Sequence, residues 1–223
     1  MDHLNKKGRI FLVGIGGIGM SGIAEILHNL GYEVTGSDQK EGSNIIRLKK
    51  LGIKIKIGHN ASNIKGSSLI VYSSAIKKQN VEIKEALKIK IPLISRAEML
   101  AELMRMKKTI TVAGSHGKTT TISIISEIFV KSELDPTVIN GGIINSLGSN
   151  TRLGFGDWMI VETDESDGSF TKLPSFSGLI TSIDDEHIDF YNNIRNLENA
   201  FEQYINNISV FGFSVICSDD NKL

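Results

Sequence analysis

The chain has 223 residues, a length that fits one or two domains and allows a sizeable buried core. Its 25 basic and 25 acidic residues balance, so nothing in the charge indicates binding to nucleic acid or to a membrane surface, and a small-molecule ligand is expected. The single cysteine, Cys217, excludes an internal disulfide, and no apolar run is long enough for a transmembrane helix. We therefore expect a cytoplasmic protein without nucleic-acid or membrane partners.

A strand pattern at residues 9–13 runs into a glycine-rich turn, which a helix pattern follows. Gly14, Gly16 and Gly19 form the motif G-x-G-x-x-G. The first glycine permits a tight turn, the second lets the backbone approach a pyrophosphate, and the third lets helix and strand pack closely. Asp38 follows the next strand and could accept a hydrogen bond from a ribose hydroxyl. Alone, the motif indicates a dinucleotide such as NAD, with a purely structural turn as the alternative.

Strand and helix patterns alternate through the first part of the chain, which predicts a Rossmann-like α/β domain with a parallel sheet at residues 1–107. The predicted strands are 33–35, 54–57, 69–72 and 92–94, and the predicted helices are 20–30, 44–51, 81–88 and 97–104. Ser73 and Ser74 follow one strand, where they either contact a phosphate or form a simple turn. His59 follows another, and a lone loop histidine is more often solvated than a ligand.

A second glycine loop follows a predicted domain joint at residues 106–108. The sequence TITVAGSHGKTTT at 109–121 predicts a strand, a phosphate-binding loop and the start of a helix. Backbone N–H groups can surround an anion there, Lys118 can reach the outer phosphates, and the Thr119 hydroxyl can face a bound Mg²⁺. Only the second half of the motif G-x-x-x-x-G-K-[ST] is present, so an ordinary glycine turn remains the alternative.

Two acidic runs follow predicted strands in the second half of the chain. The strand at 158–161 ends at Glu162, which is placed to help hold Mg²⁺ as acidic residues at strand ends do in P-loop enzymes. The strand at 178–183 leads to His187, which lies amid four carboxylates and is a candidate ligand or acid/base. Mg²⁺ prefers oxygen ligands, which counts against the imidazole. Solvated acidic loops are the alternative for part of both runs.

The remaining patterns extend the alternation to the end of the chain. They predict helices at 118–131 and 194–206 and strands at 137–139 and 213–217, and the first of these strands leads into the glycine-containing segments 140–142 and 148–150. In the last helix, residues 197, 200, 201, 204 and 205 form an apolar stripe. We expect residues 108–223 to form a P-loop ATPase-type α/β domain that is incomplete, because nothing caps its sheet before Leu223.

Taken in order, these motifs resemble the ATP-dependent Mur ligases of bacterial cell-wall synthesis, over residues 8–220. The resemblance rests on GIGGIGMSGIAEIL, GSD at 36–38, SSAI at 73–76, RAEMLAELMR at 96–105, VAGSHGKTTT, VETDESDGSF at 161–170 and IDDEHID at 183–189. The family usually has Thr where this chain has Ser115.

The resemblance implies that the first loop binds the UDP part of UDP-N-acetylmuramate, not NAD. The pyrophosphate would then lie near Gly16, Gly17, Gly19, Ser73, Ser74 and Arg96, and the uridine near Asp38 and His59.

For the second loop the resemblance implies ATP and Mg²⁺ as cofactors. Thr119 and Glu162 would hold one Mg²⁺ and His187 would help hold a second, so that Lys118, Glu162 and His187 carry the catalytic roles. Many members also use a carbamylated lysine after that histidine, and Glu202 falls near its place. The phosphates would contact Gly114, Ser115, His116, Gly117, Lys118, Thr119 and Thr120.

The implied reaction joins L-alanine to the lactyl carboxylate of the sugar nucleotide through an acyl phosphate. A related ligase that adds a preformed tripeptide, and a non-catalytic nucleotide-binding module, are the alternatives. An NAD-dependent oxidoreductase would explain neither Lys118 nor the acidic cluster. Family members continue into a third domain that binds the amino acid, so we expect these 223 residues not to turn over alone.

Overall fold

The computed structural model describes residues 8–144 and 149–220, and for residues 141–144, 149 and 150 it describes the backbone alone. The chain forms two compact units, Met1–Met99 and Leu100–Leu223. The domain boundary after residue 107 stays a prediction. Among the described residues, no helix combines the length and the apolar character needed to cross a membrane.

The first unit is built on a five-stranded, fully parallel sheet. Its strands are β1 (Arg9–Val13), β2 (Glu33–Asp38), β3 (Lys54–Ile57), β4 (Leu69–Tyr72) and β5 (Leu93–Ser95), in the spatial order β3-β2-β1-β4-β5. The central strand β1 is apolar from Ile10 to Val13 because both faces of the sheet are covered. The strand order reverses between β1 and β4, the point at which ligands bind in open parallel sheets.

Helices and core residues cover this sheet. The elements are α1 (Ile18–Asn29), α2 (Ser43–Lys50), a short 3₁₀ helix (Ala61–Ile64), α3 (Val81–Lys88) and α4 (Arg96–Arg105). Gly31 stops helix α1, as predicted, and follows its C-cap Leu30. Gly31 has φ +85°, its N–H donates to the His28 carbonyl, and the Tyr32 N–H donates to the Leu27 carbonyl. This pair of bonds is the Schellman motif, which glycine adopts without strain.

The second unit contains a six-stranded sheet that is parallel except at one edge. Its strands are β6 (Lys108–Ala113), β7 (Thr137–Ile144), β8 (Ser149–Arg152), β9 (Trp158–Glu162), β10 (Ser177–Ile180) and β11 (Ser214–Ile216), in the order β11-β10-β6-β9-β7-β8. Strand β7 extends beyond the predicted residues 137–139 to Ile144, and β8 pairs antiparallel with it. Residue 148 lies outside the described residues.

Helices cover both faces of this second sheet. They are α5 (Lys118–Lys131), a 3₁₀ helix (Ser169–Lys172), α6 (Ile188–Tyr191) and α7 (Ile194–Asn206). The predicted apolar stripe of α7 is confirmed at Leu197, Ala200, Phe201 and Tyr204, which are buried with Phe170. The short helix α6 escaped the sequence analysis because four residues are too few to show a helical period.

Candidate functional site

The first glycine-rich turn joins β1 to α1 and is tied to the neighbouring strand β2. The N–H groups of Gly14 and Ile15 both donate to the carbonyl oxygen of Ser37, at 2.9 and 3.0 Å. Gly14 has φ +79°, which favours glycine. Gly17 is the N-cap of α1 and offers no side chain to cap it. Because the first N–H groups of a helix lack intrahelical acceptors, this end of α1 has the geometry and dipole of an anion site.

Arg96 places a cation beside this end of α1. Ser95 and Glu98 form a capping box at the start of α4, in which the Ser95 N–H donates to the Glu98 carboxylate at 2.6 Å and the Glu98 N–H donates to the Ser95 hydroxyl at 3.2 Å. A Cβ on Gly19 would lie 2.6 Å from Nη1 of Arg96. The role of Gly19 in letting helix and strand pack closely stays a prediction, since the three atoms nearest to that Cβ all belong to Arg96. The missing side chain of Gly19 makes room for the guanidinium.

A cleft of about 400 Å³ opens where β1, β2 and β4 end. The carboxylate of Asp38 already accepts from the N–H of Gly16 at 2.8 Å and from the N–H of Gln39 at 2.7 Å. A carboxylate has further lone pairs, so Asp38 can still accept from a ligand hydroxyl. Ser74 is exposed and lies outside the cleft lining. Five of the predicted substrate-binding residues line the cleft, namely Gly16, Gly17, Asp38, His59 and Ser73.

A buried carboxylate that the sequence analysis missed lies behind His59. Glu82 is fully buried, and its Oε2 lies 2.8 Å from Nδ1 of His59. The Ser37 hydroxyl donates to the same oxygen at 2.6 Å, while Asn63 donates to Oε1 at 2.7 Å. Glu82 is one of many charged residues on a helix of ordinary appearance, so nothing in the sequence distinguishes it.

The second glycine loop follows β6 and is held by the segment after β10. Gly114 has φ +125°, and a Cβ there would lie 2.9 Å from backbone atoms of Ser182. The N–H groups of Ser115 and His116 donate to the carbonyl and hydroxyl oxygens of Ser182, at 2.9 and 3.1 Å. Gly117, with φ +80°, is the N-cap of α5 and has no side chain to cap it. The first N–H groups of α5 are thus the amides best placed for phosphate, and the contacts themselves stay a prediction.

Ser115 and His116 also hold the acidic segment after β10. The Asp184 N–H donates to the Ser115 hydroxyl at 2.9 Å, and the His116 Nε2 lies 3.1 Å from the Asp184 carboxylate. A threonine at position 115 would offer the same hydroxyl group. The serine in this chain therefore preserves the contact that fixes the loop.

Lys118 is paired with a carboxylate that the sequence analysis did not single out. Its Nζ donates to the two carboxylate oxygens of Glu165, at 2.8 and 3.0 Å, and to the carbonyl of Gly114 at 2.5 Å. The Glu165 side chain is 1% exposed. The acidic run after β9 signalled carboxylates at this position, but spacing alone cannot tell which of them turns toward the lysine.

Thr119 and Glu162 are brought together as the sequence predicts. The Thr119 hydroxyl donates to Oε2 of Glu162 at 3.1 Å. Two oxygen donors at the start of α5 and the end of β9 suit the preference of Mg²⁺ for oxygen ligands. The residues therefore fit the metal, although its binding there stays a prediction.

His187 lies close to Glu165, the buried partner of Lys118. Its Nε2 is 3.9 Å from Oε1 of Glu165, and His187, Glu165 and Glu186 each offer one ligand atom within 4.8 Å of the others. His187 has φ +57°, a left-handed conformation at the start of α6. Glu202 is exposed on α7 and is not a member of this group among the described residues. A metal role for His187 stays a prediction.

Tyr191 holds the backbone of Glu165, the residue with the buried carboxylate. Its hydroxyl donates to the backbone carbonyl of Glu165. Burial, followed by the nearby charges of Glu165, Asp167 and Asp164, raises the pKa of Tyr191 to about 12. The phenol therefore stays protonated over the physiological range and keeps its donor role.

Two family profiles match the chain in sequence order. The profile described as "Mur ligase family, catalytic domain" matches residues 9–108, and "Mur ligase middle domain" matches residues 112–223.

Curated relatives carry the name "UDP-N-acetylmuramate--L-alanine ligase". The chain is 53% identical to one from Rhodospirillum centenum over 212 residues, covering 95% of this chain and 44% of the relative. It is 52% identical to one from Brucella anthropi over the same length, covering 95% of this chain and 45% of the relative. The chain thus spans somewhat under half the length of the curated relatives it matches.

Two solved structures have the same fold as this chain. The UDP-N-acetylmuramate-alanine ligase from Thermotoga maritima superposes with a TM-score of 0.87 at 32% identity, covering 96% of this chain and 50% of that one. The UDP-N-acetylmuramate:L-alanyl-gamma-D-glutamyl-meso-diaminopimelate ligase from Neisseria meningitides gives a TM-score of 0.89 at 24% identity, covering 96% and 72%. The second likeness shows the fold alone. With both profiles matched in order and identities above half over nearly all of its length, the chain belongs to the Mur ligase family.

Proposed function

We propose that the chain contributes the UDP-sugar-binding and ATP-binding parts of a cytoplasmic ligase that joins L-alanine to UDP-N-acetylmuramate in peptidoglycan precursor synthesis. The observation that carries the proposal is the presence of two anion-binding helix starts in one chain, each with its own cation. Identities of 51% to 53% with relatives named for this reaction support the choice of substrates.

In the first unit the proposed ligand group is the diphosphate of the sugar nucleotide. The uncapped start of α1 offers N–H groups and a positive dipole end, and Arg96 adds a full charge beside it. The adjoining cleft carries Asp38 and His59, polar side chains that suit a nucleoside. No feature of this proposal requires a nicotinamide.

In the second unit the proposed ligand is Mg-ATP. The lactyl carboxylate would attack the γ-phosphate of ATP, with departure of ADP, to give an acyl phosphate, and the alanine amine would then attack the acyl carbon and displace inorganic phosphate to form the amide. Bound Mg²⁺ would supply charge neutralisation on the phosphates. Lys118 neutralises charge on the outer phosphates, and to do so it exchanges its partner Glu165 for the ligand. Thr119 and Glu162 present oxygen atoms toward the metal. His187 is proposed to assist a second metal ion.

Calorimetric titration of the purified chain tests the ligand assignments. We expect UDP-N-acetylmuramate and Mg-ATP to bind, each at one site, and NAD not to bind. Binding of NAD, or failure of the sugar nucleotide to bind a chain that shows a cooperative thermal transition, would contradict the proposal for the first unit.

The choice of L-alanine is tested by a chimera. Residues 1–223 are continued with the C-terminal part of the Rhodospirillum centenum relative, and ADP release is measured with L-alanine or with a tripeptide as the acceptor. We expect release with L-alanine only, and none from the same chimera carrying Lys118→Met. Tripeptide-dependent release of ADP would favour the related ligase that adds a preformed tripeptide. Absence of release with either acceptor would favour a non-catalytic nucleotide-binding module.

A further inference from the structure

Glu82 is the most completely buried acidic side chain that the proposed function leaves without a role. It lies in the first turn of α3 with no exposed surface, where the helix dipole favours a negative charge. Among the described residues, its one cationic or potentially cationic partner is His59. A buried carboxylate that faces a histidine of a ligand cleft needs an explanation, because burying a charge is costly.

The donors around Glu82 fix the proton of the His59 ring. Asn63 and the backbone N–H of Asn60 donate to Oε1, at 2.7 and 3.3 Å, and the Ser37 hydroxyl donates to Oε2 at 2.6 Å. His59 Nδ1 lies 2.8 Å from Oε2 and 3.0 Å from the Ser37 hydroxyl, whose single proton is already donated to Oε2. An ionised carboxylate only accepts, so both neighbours present lone pairs to Nδ1, and Nδ1 must carry the ring proton. In the neutral ring, Nε2 is then an acceptor.

The other ring nitrogen is free to serve a ligand. His59 lines the cleft of the first unit, its side chain is 10% exposed, and Nε2 is buried without a hydrogen-bond partner in the described part of the chain. A buried polar atom without a partner costs free energy, which a ligand donor would recover.

We infer that Glu82 is a positioning residue of the nucleotide cleft: it holds the proton of His59 on Nδ1, so that Nε2 accepts a hydrogen bond from an N–H or O–H donor of the bound nucleoside. The donor is either the imide N–H of the uracil or a ribose hydroxyl. This inference rests on the proposed function, because it needs the cleft to bind the UDP part of the substrate.

The variant Glu82→Gln should move the proton of the His59 ring from Nδ1 to Nε2. The backbone N–H of Asn60 is a fixed donor, so it holds the amide oxygen of the new side chain at the position of Oε1. The amide NH₂ then faces His59, whose Nδ1 must accept, and the ring proton moves to Nε2. A donor of the nucleoside would now meet an N–H group.

The test titrates the chain and this variant with UDP, 2′-deoxy-UDP and N3-methyl-UDP. We expect Glu82→Gln to weaken UDP binding about tenfold, the size of one lost hydrogen bond. The variant and the parent should differ by less than about twofold on the one analogue that lacks the matching donor. That analogue identifies the source: the deoxy compound for the ribose, the methylated compound for the uracil.

Glu85→Gln is the matched control. It removes the same charge from the same helix, but Glu85 faces Lys88 at 3.5 Å and takes no part in the network around His59. We expect this variant to bind all three ligands as the parent does.

Long-range ¹H–¹⁵N spectra of the His59 ring, recorded at mildly alkaline pH, give a readout that a purely structural role would not change. The proton should reside on Nδ1 in the parent and on Nε2 in Glu82→Gln. A proton on Nε2 in the parent overturns the inference, even if the variant fails to fold.

Each remaining outcome has one meaning. If the parent binds UDP but Glu82→Gln binds it equally or more tightly, or loses all three ligands equally, the role of Glu82 is wrong and the proposed function stands. If the folded parent binds no UDP, the proposed function of the first unit fails, and the inference fails with it.

Discussion

The two glycine loops of this chain each lead into a helix start with a cation nearby, and they differ in the residues around that cation. The first receives its cation from Arg96, which forms no ion pair among the described residues, and it follows the wholly apolar end of β1. The second receives its cation from Lys118, which is paired with the buried Glu165, and it follows β6, where Thr109 and Thr111 are buried.

Because of this difference, we expect the cation of the first loop to contribute to ligand binding alone, and the cation of the second loop to contribute to both ligand binding and stability. A cation without an internal partner can be removed without leaving a buried charge behind. A cation that neutralises a buried carboxylate cannot be removed without that cost. Removal of Lys118 should therefore affect folding as well as ligand binding, whereas removal of Arg96 should affect binding alone.

The largest effect is expected for Lys118→Met. This change leaves Glu165 buried without its partner and should lower the free energy of unfolding of the second unit by about 3–5 kcal/mol. Urea unfolding followed by the fluorescence of Trp158, the single tryptophan, measures this unit. The double variant with Glu165→Gln should recover most of the stability but not Mg-ATP binding. Unchanged stability of Lys118→Met would refute the coupling.

The next effect is expected for Gly114→Ala. The side chain would enter a left-handed backbone position and contact the backbone of Ser182, so we expect a loss of about 3 kcal/mol in the same urea experiment. Gly117→Ala is the control, because its Cβ would meet nothing closer than Thr181 at 4.0 Å. It should cost about 1 kcal/mol, from backbone strain alone. Equal losses in both variants would show that contact with Ser182 is unimportant.

Arg96 lies at the start of α4, beside the first loop. The variant Arg96→Met should weaken UDP-N-acetylmuramate binding about tenfold to a hundredfold, since the proposed charge-assisted hydrogen bond from the guanidinium to the diphosphate is lost. Stability should change by less than about 0.5 kcal/mol. Calorimetry and urea unfolding measure the two quantities on one preparation. Arg105→Met, at the other end of α4, removes an exposed arginine that pairs with Glu102 and should change neither. A large loss of stability in Arg96→Met would remove the distinction between the loops.

The smallest effect is expected for the hydrogen bond between Tyr204 of α7 and Thr111 of β6. The Tyr204 hydroxyl lies 2.7 Å from that of Thr111, and burial raises the pKa of Tyr204 from 10.0 to about 12. Tyr204→Phe should cost about 1 kcal/mol near neutral pH, where the phenol is protonated in both states.

The pH dependence of Tyr204→Phe follows from the raised pKa. Between pH 10 and about 12 the unfolded chain ionises this tyrosine and the folded chain does not, so the parent loses stability as the pH rises. The advantage of the parent over Tyr204→Phe should therefore shrink across that window, as measured by urea midpoints. A constant difference would show that this phenol titrates alike in both states.

Local patterns predicted much of the fold, because alternating strands and helices and the stops at glycines such as Gly31 are written in short stretches of sequence. Both glycine loops were found for the same reason. The edge strand β8 was not, because its residues, Ser149–Arg152, are polar and lack the apolar alternation by which a strand is found in a sequence.

The candidate site was only partly predictable. The pairing of Thr119 with Glu162 follows from their positions at a helix start and a strand end. The partner of Lys118 does not, because Glu165 lies in an irregular segment whose path depends on Tyr191. Glu82 was equally hidden, since its burial depends on packing between elements rather than on any motif.

The pairing of Lys118 also bears on how quickly ligands arrive. A cation held 2.8 Å from a buried carboxylate projects a weak field into solvent. Arg96 has no ion-pair partner in the part of the chain that the structure describes, so its charge attracts anions from a distance. Mobile ions screen such long-range attraction within a Debye length. Stopped-flow association rates of the sugar nucleotide should consequently decrease with ionic strength more steeply than those of nucleotide binding at the second loop, whose entry is governed by exchange of the internal partner.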